Sequence, residues 1–377
     1  MKGFLTFLTG VLIFAGICLF VFYKSPEVRS FEKALVTAKQ GDAESLFKVG
    51  RAYETGIGTK QNSEQAVDYY RQAASAGSVE AMYHLGRLYE EGTLVEADAE
   101  ESFVFYQLAA TQEYAPAQVS LARFYQEGKG GASRHEGESL LWTIRAAQQG
   151  NEDALKKVQE AQAEKPSLYE SVLAFNDLIQ KPEQEKDAAT CFDIAQTYRL
   201  GVVVARNDEE AFKWFKESWE KREGLSQAAV EMADMYESGE GVEKDENKAL
   251  SLYAQAAELK NPQAQYSLGK RSYEENPPKY EDAFAWFSNS AEQGYAPAQY
   301  MTGYMLLQGQ GTAKSQKMAV DYFTRAAEQN YSAAQYVLGQ IYWKGLGIKR
   351  NRAAGRSWLE KAAQNGNVSA QAFLETL

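Results

Sequence analysis

The stretch from Ala334 to Asn365, AQYVLGQIYWKGLGIKRNRAAGRSWLEKAAQN, carries the reading of the whole chain. Counted from Ala334 as zero, Leu338 and Gly339 fall at plus 4 and plus 5, and Tyr342 at plus 8. Gly345 and Gly347 follow at plus 11 and plus 13, Asn351 at plus 17, Trp358 at plus 24, and Ala362 and Ala363 at plus 28 and plus 29. Positions zero, 4 and 8 share one stripe of a 3.6-residue helix, which predicts a first helix buried along that stripe. The two glycines supply backbone with φ > 0, ending the helix and reversing the chain. Asn351 is placed to accept from the free N–H groups that open a second helix, whose plus 24 aromatic and alanine pair turn back onto the first. The stretch therefore predicts an antiparallel helical hairpin.

The zero position recurs at Ser45, Ala81, Ala117, Ala154, Thr190, Ala228, Ala264, Ala298, Ala334 and Ala370, at intervals of 36, 36, 37, 36, 38, 36, 34, 36 and 36 residues. A fixed period of this length is the mark of a stacked array, in which no single hairpin buries its apolar face alone. The pattern A-x-x-x-L-G-x-x-Y-x-x-G-x-G with its closing aromatic-x-x-x-A-A resembles the Sel1-like repeats, relatives of the tetratricopeptide arrays. The resemblance runs from Ser45 to the C-terminus. It implies an all-α, right-handed superhelical solenoid of about nine antiparallel hairpins, and an adaptor's role.

The repeats vary in informative ways. Asn62, Asp98, Asn207, Asp245, Ser315 and Asn351 fill the plus 17 column, all good N-caps, and Gln65, Glu101 and Glu210 three residues later complete the sequence signature of a capping box. The segment from Ala154 to Ala189 keeps the length but loses the plus 5 glycine, the plus 8 tyrosine and both turn glycines, with Lys165 and Pro166 breaking it instead. Two helices of different packing, about 152–163 and 167–180, are expected there. In the repeat from Ala264, which is two residues short, Pro277 and Pro278 replace the glycine turn. The organisation read from this is an anchor at 1–24, a linker and leading helix at 25–44, repeats at 45–153, a degenerate repeat or joint at 154–189, and repeats with a cap at 190–377.

Residues 3–23 form an uncharged apolar run between Lys2 and Lys24, long enough to cross a bilayer as a helix and followed by no small-x-small cleavage site. The expectation is an uncleaved single-pass anchor that precedes the array. Lys24, Arg29, Lys33 and Lys39 favour a cytoplasmic array by charge count, but long domains translocate largely regardless of charge. Export is the favoured reading, periplasmic at the inner membrane if the source is bacterial, and a cytoplasmic array the alternative.

A balance of 40 basic against 51 acidic residues argues against nucleic acid as the main partner. Two cysteines, Cys18 in the apolar run and Cys191, give no disulfide framework and no cysteine-based zinc site. His84 and His135, the only histidines, have no metal-ligand spacing, and the loop from Gly128 to Arg134 lacks the spacing of a phosphate-binding loop. No catalytic, cofactor-binding or metal-ligating residue is assigned, and no cofactor is expected.

The remaining signal is the open stripe of the first helices at plus 2, plus 6 and plus 9. Late repeats place Tyr266, Tyr273, Tyr300, Tyr304, Tyr336 and Trp343 there, a nearly uncharged aromatic face. Early repeats align Arg51, Arg87 and Arg123 at plus 6, the second candidate face. The functional expectation is a membrane-anchored, non-catalytic scaffold that holds a protein partner on the aromatic face. A scaffold for cell-envelope polysaccharide is the first alternative, because aromatic faces also stack on sugars, and an enzyme with an unrecognised site the second.

Overall fold

The computed structural model describes residues 25–221 and 224–377. The apolar run at 3–23 lies outside them; among the described residues no helix is long and apolar enough to cross a membrane. Regular structure among the described residues is entirely helical. It divides into two compact units, one running to Gln180 and taking in Gly201–Ala205, the other formed by Lys181–Leu200 with Arg206–Leu377.

Unit 1 opens with α1 (Pro26–Ala38) and continues with the hairpins α2 (Ala43–Thr55) and α3 (Ser63–Ser75), α4 (Val79–Glu91) and α5 (Ala99–Thr111), and α6 (Ala115–Glu127) and α7 (Glu136–Gln148). Then come α8 (Glu152–Glu164) and α9 (Pro166–Gln180), which touch each other sparsely because α9 lies back on α7. Here α9 covers what other second helices leave open: Leu140 and Ile144 of α7 are buried, whereas Val104 and Leu108 at the same offsets of α5 are about half exposed. The segment Gly201–Ala205 also packs in this unit. Val204 is fully buried, and the Ala205 N–H donates to Glu138 Oε1 at 3.2 Å.

Unit 2 contains the hairpins α10 (Ala188–Leu200) and α11 (Asp208–Glu220), α12 (Ser226–Ser238) and α13 (Glu246–Glu258), α14 (Pro262–Glu274) and α15 (Tyr280–Glu292), α16 (Ala296–Gln308) and α17 (Gln316–Glu328), and α18 (Ser332–Lys344) and α19 (Arg352–Gln364). The short α20 (Val368–Glu375) closes the last apolar face through Ala370 and Phe373. Within each unit, helices pack first within a hairpin and then second helix to next first helix.

All six polar residues of the plus 17 column cap their second helix: Asn62, Asp98, Asn207, Asp245, Ser315 and Asn351 each accept from a backbone N–H two or three residues on. The reciprocal half of the capping box is replaced. The N–H of Asn62 donates to the Tyr53 carbonyl at 2.9 Å, and Asp98, Asn207 and Asn351 reach Tyr89, Tyr198 and Tyr342 in the same way. That bond closes the turn across the hairpin, so the cap's N–H is not left for a Gln or Glu side chain.

Within the hairpin it is plus 25, not plus 24, that fills the space beneath the plus 5 glycine. Tyr70, Tyr106, Phe323 and Leu359 stand at plus 25 and are essentially inaccessible, while Trp358 at plus 24 is half-buried with Lys361 4.5 Å above its ring. A Cβ on Gly86 would sit 2.6 Å from the Tyr106 ring, so glycine is what lets that ring in. Between hairpins a second device operates. The plus 1 glutamine, buried in four places, donates to the last-turn carbonyl of the preceding second helix and accepts from an amide of its own. Gln335 donates to Ala327 O at 3.0 Å and accepts from Asn365 at 2.9 Å; Gln118, Gln265 and Gln299 make the same pair of bonds. Each satisfies groups that would be costly to bury unpaired.

Candidate partner-binding faces

In unit 2 the plus 2 tyrosines are held by rings on two sides. Tyr266 packs against Phe287 and Tyr295, each 5.5 Å away between centroids, and Tyr300 against Phe323 at 5.7 Å and Tyr331 at 5.6 Å. One ring comes from the same hairpin's second helix, the other from the residue before the next first helix. Tyr295 and Tyr331 occupy N-cap positions that Asn261 and Asn367 fill with a side-chain cap, so a tyrosine there exchanges a cap bond for an edge-on or tilted ring contact. Such ring pairs contribute about 0.5–1.5 kcal/mol beyond their buried area. The other edge of each plus 2 ring stays open, for both tyrosines are only half-buried.

The remaining candidates lie on the same first helices. The Tyr273 hydroxyl donates to Gln310 Oε1 at 3.3 Å, and the Tyr336 hydroxyl accepts from Gln340 at 2.7 Å. Trp343 stands edge-on to Phe373 of α20, 6.4 Å away, with the Arg352 guanidinium 5.2 Å above its ring. Tyr304 is half-buried on α16, a helix without a single charged residue. The six residues thus share one face while each leans on its own neighbours.

A polar groove of about 650 Å³ continues this face onto α12, lined by Asp234, Glu237, Tyr253, Tyr266 and Lys270 among others. The Tyr253 hydroxyl donates to Asp234 and, at 3.3 Å, to Glu237. Burial pushes the Asp234 carboxyl up, against the pull of the Tyr253 bond and of Arg199. Arg199 itself lies 3.6 Å from Glu231 and 3.7 Å from Glu240.

In unit 1 the arginine row is divided among different partners. Arg87 pairs with Glu91 at 2.9 Å along its own helix, and Arg123 with Glu90 at 2.8 Å, while Arg51 is exposed. Glu90 is a hub: it also accepts from Lys129 at 2.8 Å and Tyr106 at 2.9 Å. Burial raises its carboxyl, but these three charge-assisted and hydroxyl bonds outweigh burial and hold it at about 2. One hairpin earlier, Glu54 accepts from the Tyr70 hydroxyl and lies 3.1 Å from His84 Nε2. Burial lowers the His84 imidazole more than Glu54 raises it, so His84 is a packed, neutral residue at pH 7. His135, which the sequence leaves in a turn, caps α7 by accepting the Glu138 N–H on Nδ1 at 3.1 Å.

Two columns that sequence reasoning treated separately act together. Where plus 25 is a tyrosine (Tyr70, Tyr106, Tyr253), plus 9 is a glutamate that accepts its hydroxyl; where it is Phe323 or Leu359, plus 9 is Leu307 or Trp343. The aromatic character of the late face follows partly from this pairing, since a buried ring without a hydroxyl leaves plus 9 free to be apolar.

Residues 43–78, 79–114, 115–151, 188–218, 226–261, 262–295, 296–331 and 332–367 match the family model for the Sel1 repeat, which leaves α8 and α9 unmatched. Among solved structures, the chain is similar to a Sel1 repeat protein from Oxalobacter formigenes, at 26% identity over 95% of this chain and 93% of that one, with a TM-score of 0.47. It is also similar to c5321, a protective antigen present in uropathogenic Escherichia coli strains that displays an SLR fold, at 25% identity over 90% and 88% with a TM-score of 0.34. The immunity protein Pa5087 from Pseudomonas aeruginosa is 26% identical over 50% of this chain and 69% of that one, with a TM-score of 0.36.

Proposed function

Since the chain belongs to the Sel1 repeat family, a fold typical of protein–protein interaction scaffolds, we propose that it is a non-catalytic scaffold whose unit 2 holds a protein partner on the first-helix face. The observation that carries this reading is the face itself: half-buried Tyr266, Tyr300, Tyr304 and Tyr336 side by side on helices of which α16 carries no charge. Aromatic groups of this kind bury large area at low entropic cost and dominate recognition hot spots. Arg51, Arg87 and Arg123 of unit 1 form the second candidate face; of these Arg51 alone has a guanidinium that is neither hydrogen-bonded nor ion-paired to another described residue.

We further propose that residues 3–23 anchor the chain in a bilayer and that the array is exported, to the periplasm in a bacterial cell. A C-terminal alkaline phosphatase fusion tests the side: activity supports export, and an inactive fusion beside a fluorescent cytoplasmic one reverses it. The partner face is tested by Tyr304→Ala and Trp343→Ala. Each is expected to weaken partner binding by about 2 kcal/mol or more, the size of a hot spot, with helicity and melting temperature near wild type. If both variants bind the partner as wild type does, the face is packing and the arginine row becomes the site.

A further inference from the structure

Charge is distributed unevenly along unit 2. In a chain of 40 basic and 51 acidic residues, the last matched repeat, residues 332–367, holds Lys344, Lys349, Arg350, Arg352, Arg356 and Lys361 against Glu360 alone. The inversion centres on the start of the second helices. In the earlier matched repeats α3, α5, α7, α11, α13 and α15 each carry an acidic residue in the first turn, where the positive end of the helix dipole favours an anion. In the last two, α17 and α19 carry none, and α19 begins with Arg352, a cation set against that dipole.

Earlier hairpins of the same unit show what is missing. Arg206, just before the cap of α11, pairs with Asp208 at 2.9 Å, and Lys244, just before the cap of α13, lies 3.3 Å from Glu246. Lys314 and Arg350 hold that position before α17 and α19, but the residues placed to answer them are Gln316 and Arg352. The side chains of Lys314, Lys317, Lys349 and Arg350 are exposed and make no ion pair or hydrogen bond with another described residue. The two stretches adjoin, for a Cβ on Gly347 would lie 2.5 Å from Gln316 Oε1.

The same cations border the aromatic face. The Arg352 guanidinium stands 5.2 Å above the Trp343 ring, which holds its planar fork of donors at the edge of that face. Positive charge does not continue along the face: α16 has no charge, and Lys270 and Arg271 of α14 are matched by Glu274 and Glu275. A continuous polyanion would find no cation to pair with over α16. A local excess of cations beside an uncharged aromatic surface instead complements a short acidic stretch joined to an uncharged one within a single chain.

We propose, on the protein-binding reading above, that the partner of unit 2 carries a short run of aspartate or glutamate that docks against Lys314, Lys317, Lys349, Arg350 and Arg352, beside its aromatic contact at Trp343.

The test titrates the full-length protein, purified in detergent, with a fluorescein-labelled peptide of six glutamates and with its six-glutamine counterpart, and follows anisotropy. Saturable binding of the glutamate peptide is expected, with the glutamine peptide at least about tenfold weaker, the size of roughly one well-formed charged contact. Joint Arg350→Glu and Arg352→Glu substitution is expected to weaken the glutamate peptide at least about tenfold. Lys60→Glu, at an exposed lysine in a turn of unit 1, is expected to leave it unchanged. The double variant places anions where the helix dipole favours them, so its melting temperature is expected to be no lower than wild type. Equal binding of the two peptides overturns the proposal, as does binding to phosphatidylglycerol vesicles or to a DNA oligonucleotide with none to the glutamate peptide. In cells, a photo-crosslinker at position 304 is expected to give several-fold fewer partner adducts in the double variant. Adducts at wild-type yield there defeat this inference alone. If position 304 captures nothing in the otherwise unaltered protein, the reading on which the inference rests falls.

Discussion

Gly309 and Gly311 form a matched pair in the turn after α16, and alanine at each separates backbone strain from packing. Both have positive φ, +75° and +65°, so alanine costs roughly 1–2 kcal/mol at either place for the left-handed conformation alone. Their surroundings differ. A Cβ on Gly309 would meet nothing nearer than Lys314 Cβ at 3.4 Å, an ordinary contact. A Cβ on Gly311 would lie 2.0 Å from the Tyr280 carbonyl oxygen and 2.4 Å from its carbon, at the start of α15 in the preceding hairpin. That neighbour is backbone and cannot rotate away, so the two hairpins must part locally, which adds the ~1–3 kcal/mol of an overpacked core. Gly309→Ala is thus expected to cost about 1–2 kcal/mol and Gly311→Ala about 2–5 kcal/mol. Urea unfolding followed by circular dichroism gives the two values. Because arrays need not unfold in one step, amide exchange localises the effect, with α15, α16 and α17 losing protection in Gly311→Ala. Equal costs for the two variants would refute the reasoning that the second turn glycine exists for contact between hairpins.

Three further outcomes follow from the described contacts. Gln335→Ala removes a fully buried side chain and its bonds to Ala327 and Asn365, leaving the Ala327 carbonyl with the Asn330 N–H alone, and is expected to cost about 1–2 kcal/mol in urea unfolding, whereas Gln371→Ala, whose bond to Ala363 O is exposed and 3.4 Å long, costs under ~0.5 kcal/mol. Lys260 has φ +61° at a turn position filled by Gly77, Gly150, Gly294 and Gly366 in other hairpins and by Glu113 and Asn330 in two more, so Lys260→Gly is expected to stabilise by about 0.5–1 kcal/mol, read as a raised melting temperature. The Glu90 carboxyl is held at about 2, below its ordinary 4.5, so its contribution is fully present above about pH 4.5 and is lost as pH falls through about 2. With Arg123 and Lys129 more than a third exposed, solvent screening leaves about 1–2 kcal/mol, which Glu90→Gln forfeits at pH 7, and the gap between variant and wild type closes as the pH is lowered toward 2.

The hairpin period, the glycine turns and the polar N-caps were legible because each answers to local backbone chemistry. Asn351 must cap and Gly345 must take φ +76° whatever lies beside them. The glutamine stitch was not legible, since Gln335 is polar and a polar column reads as surface; its burial depends on a carbonyl supplied by the preceding hairpin. Plus 24 does face the first helix, as Tyr69 on Tyr53 and Phe105 on Tyr89 show, but the part that plus 25 plays beneath the plus 5 glycine was not legible for a related reason. Both columns are apolar, adjacent helical positions point about 100° apart, and only the space beneath the plus 5 glycine decides which ring goes in. Of the candidate site, the aromatic face was readable, but its second layer, Tyr295 and Tyr331, was hidden in positions that elsewhere carry caps. The pairing of Tyr253 with Asp234 and Glu237 needed the fold, because it joins two helices.

The central claim, that the partner lies on the first-helix face of unit 2, is tested most directly by placing p-benzoylphenylalanine singly at position 304 on α16 and at position 318 on α17. Met318 is 51% exposed on a second helix, so both probes are accessible and differ in the face they report. After irradiation of intact cells, partner adducts from position 304 and none from position 318 are the predicted result. Adducts from 318 with none from 304 would contradict the account and move the partner to the second-helix face.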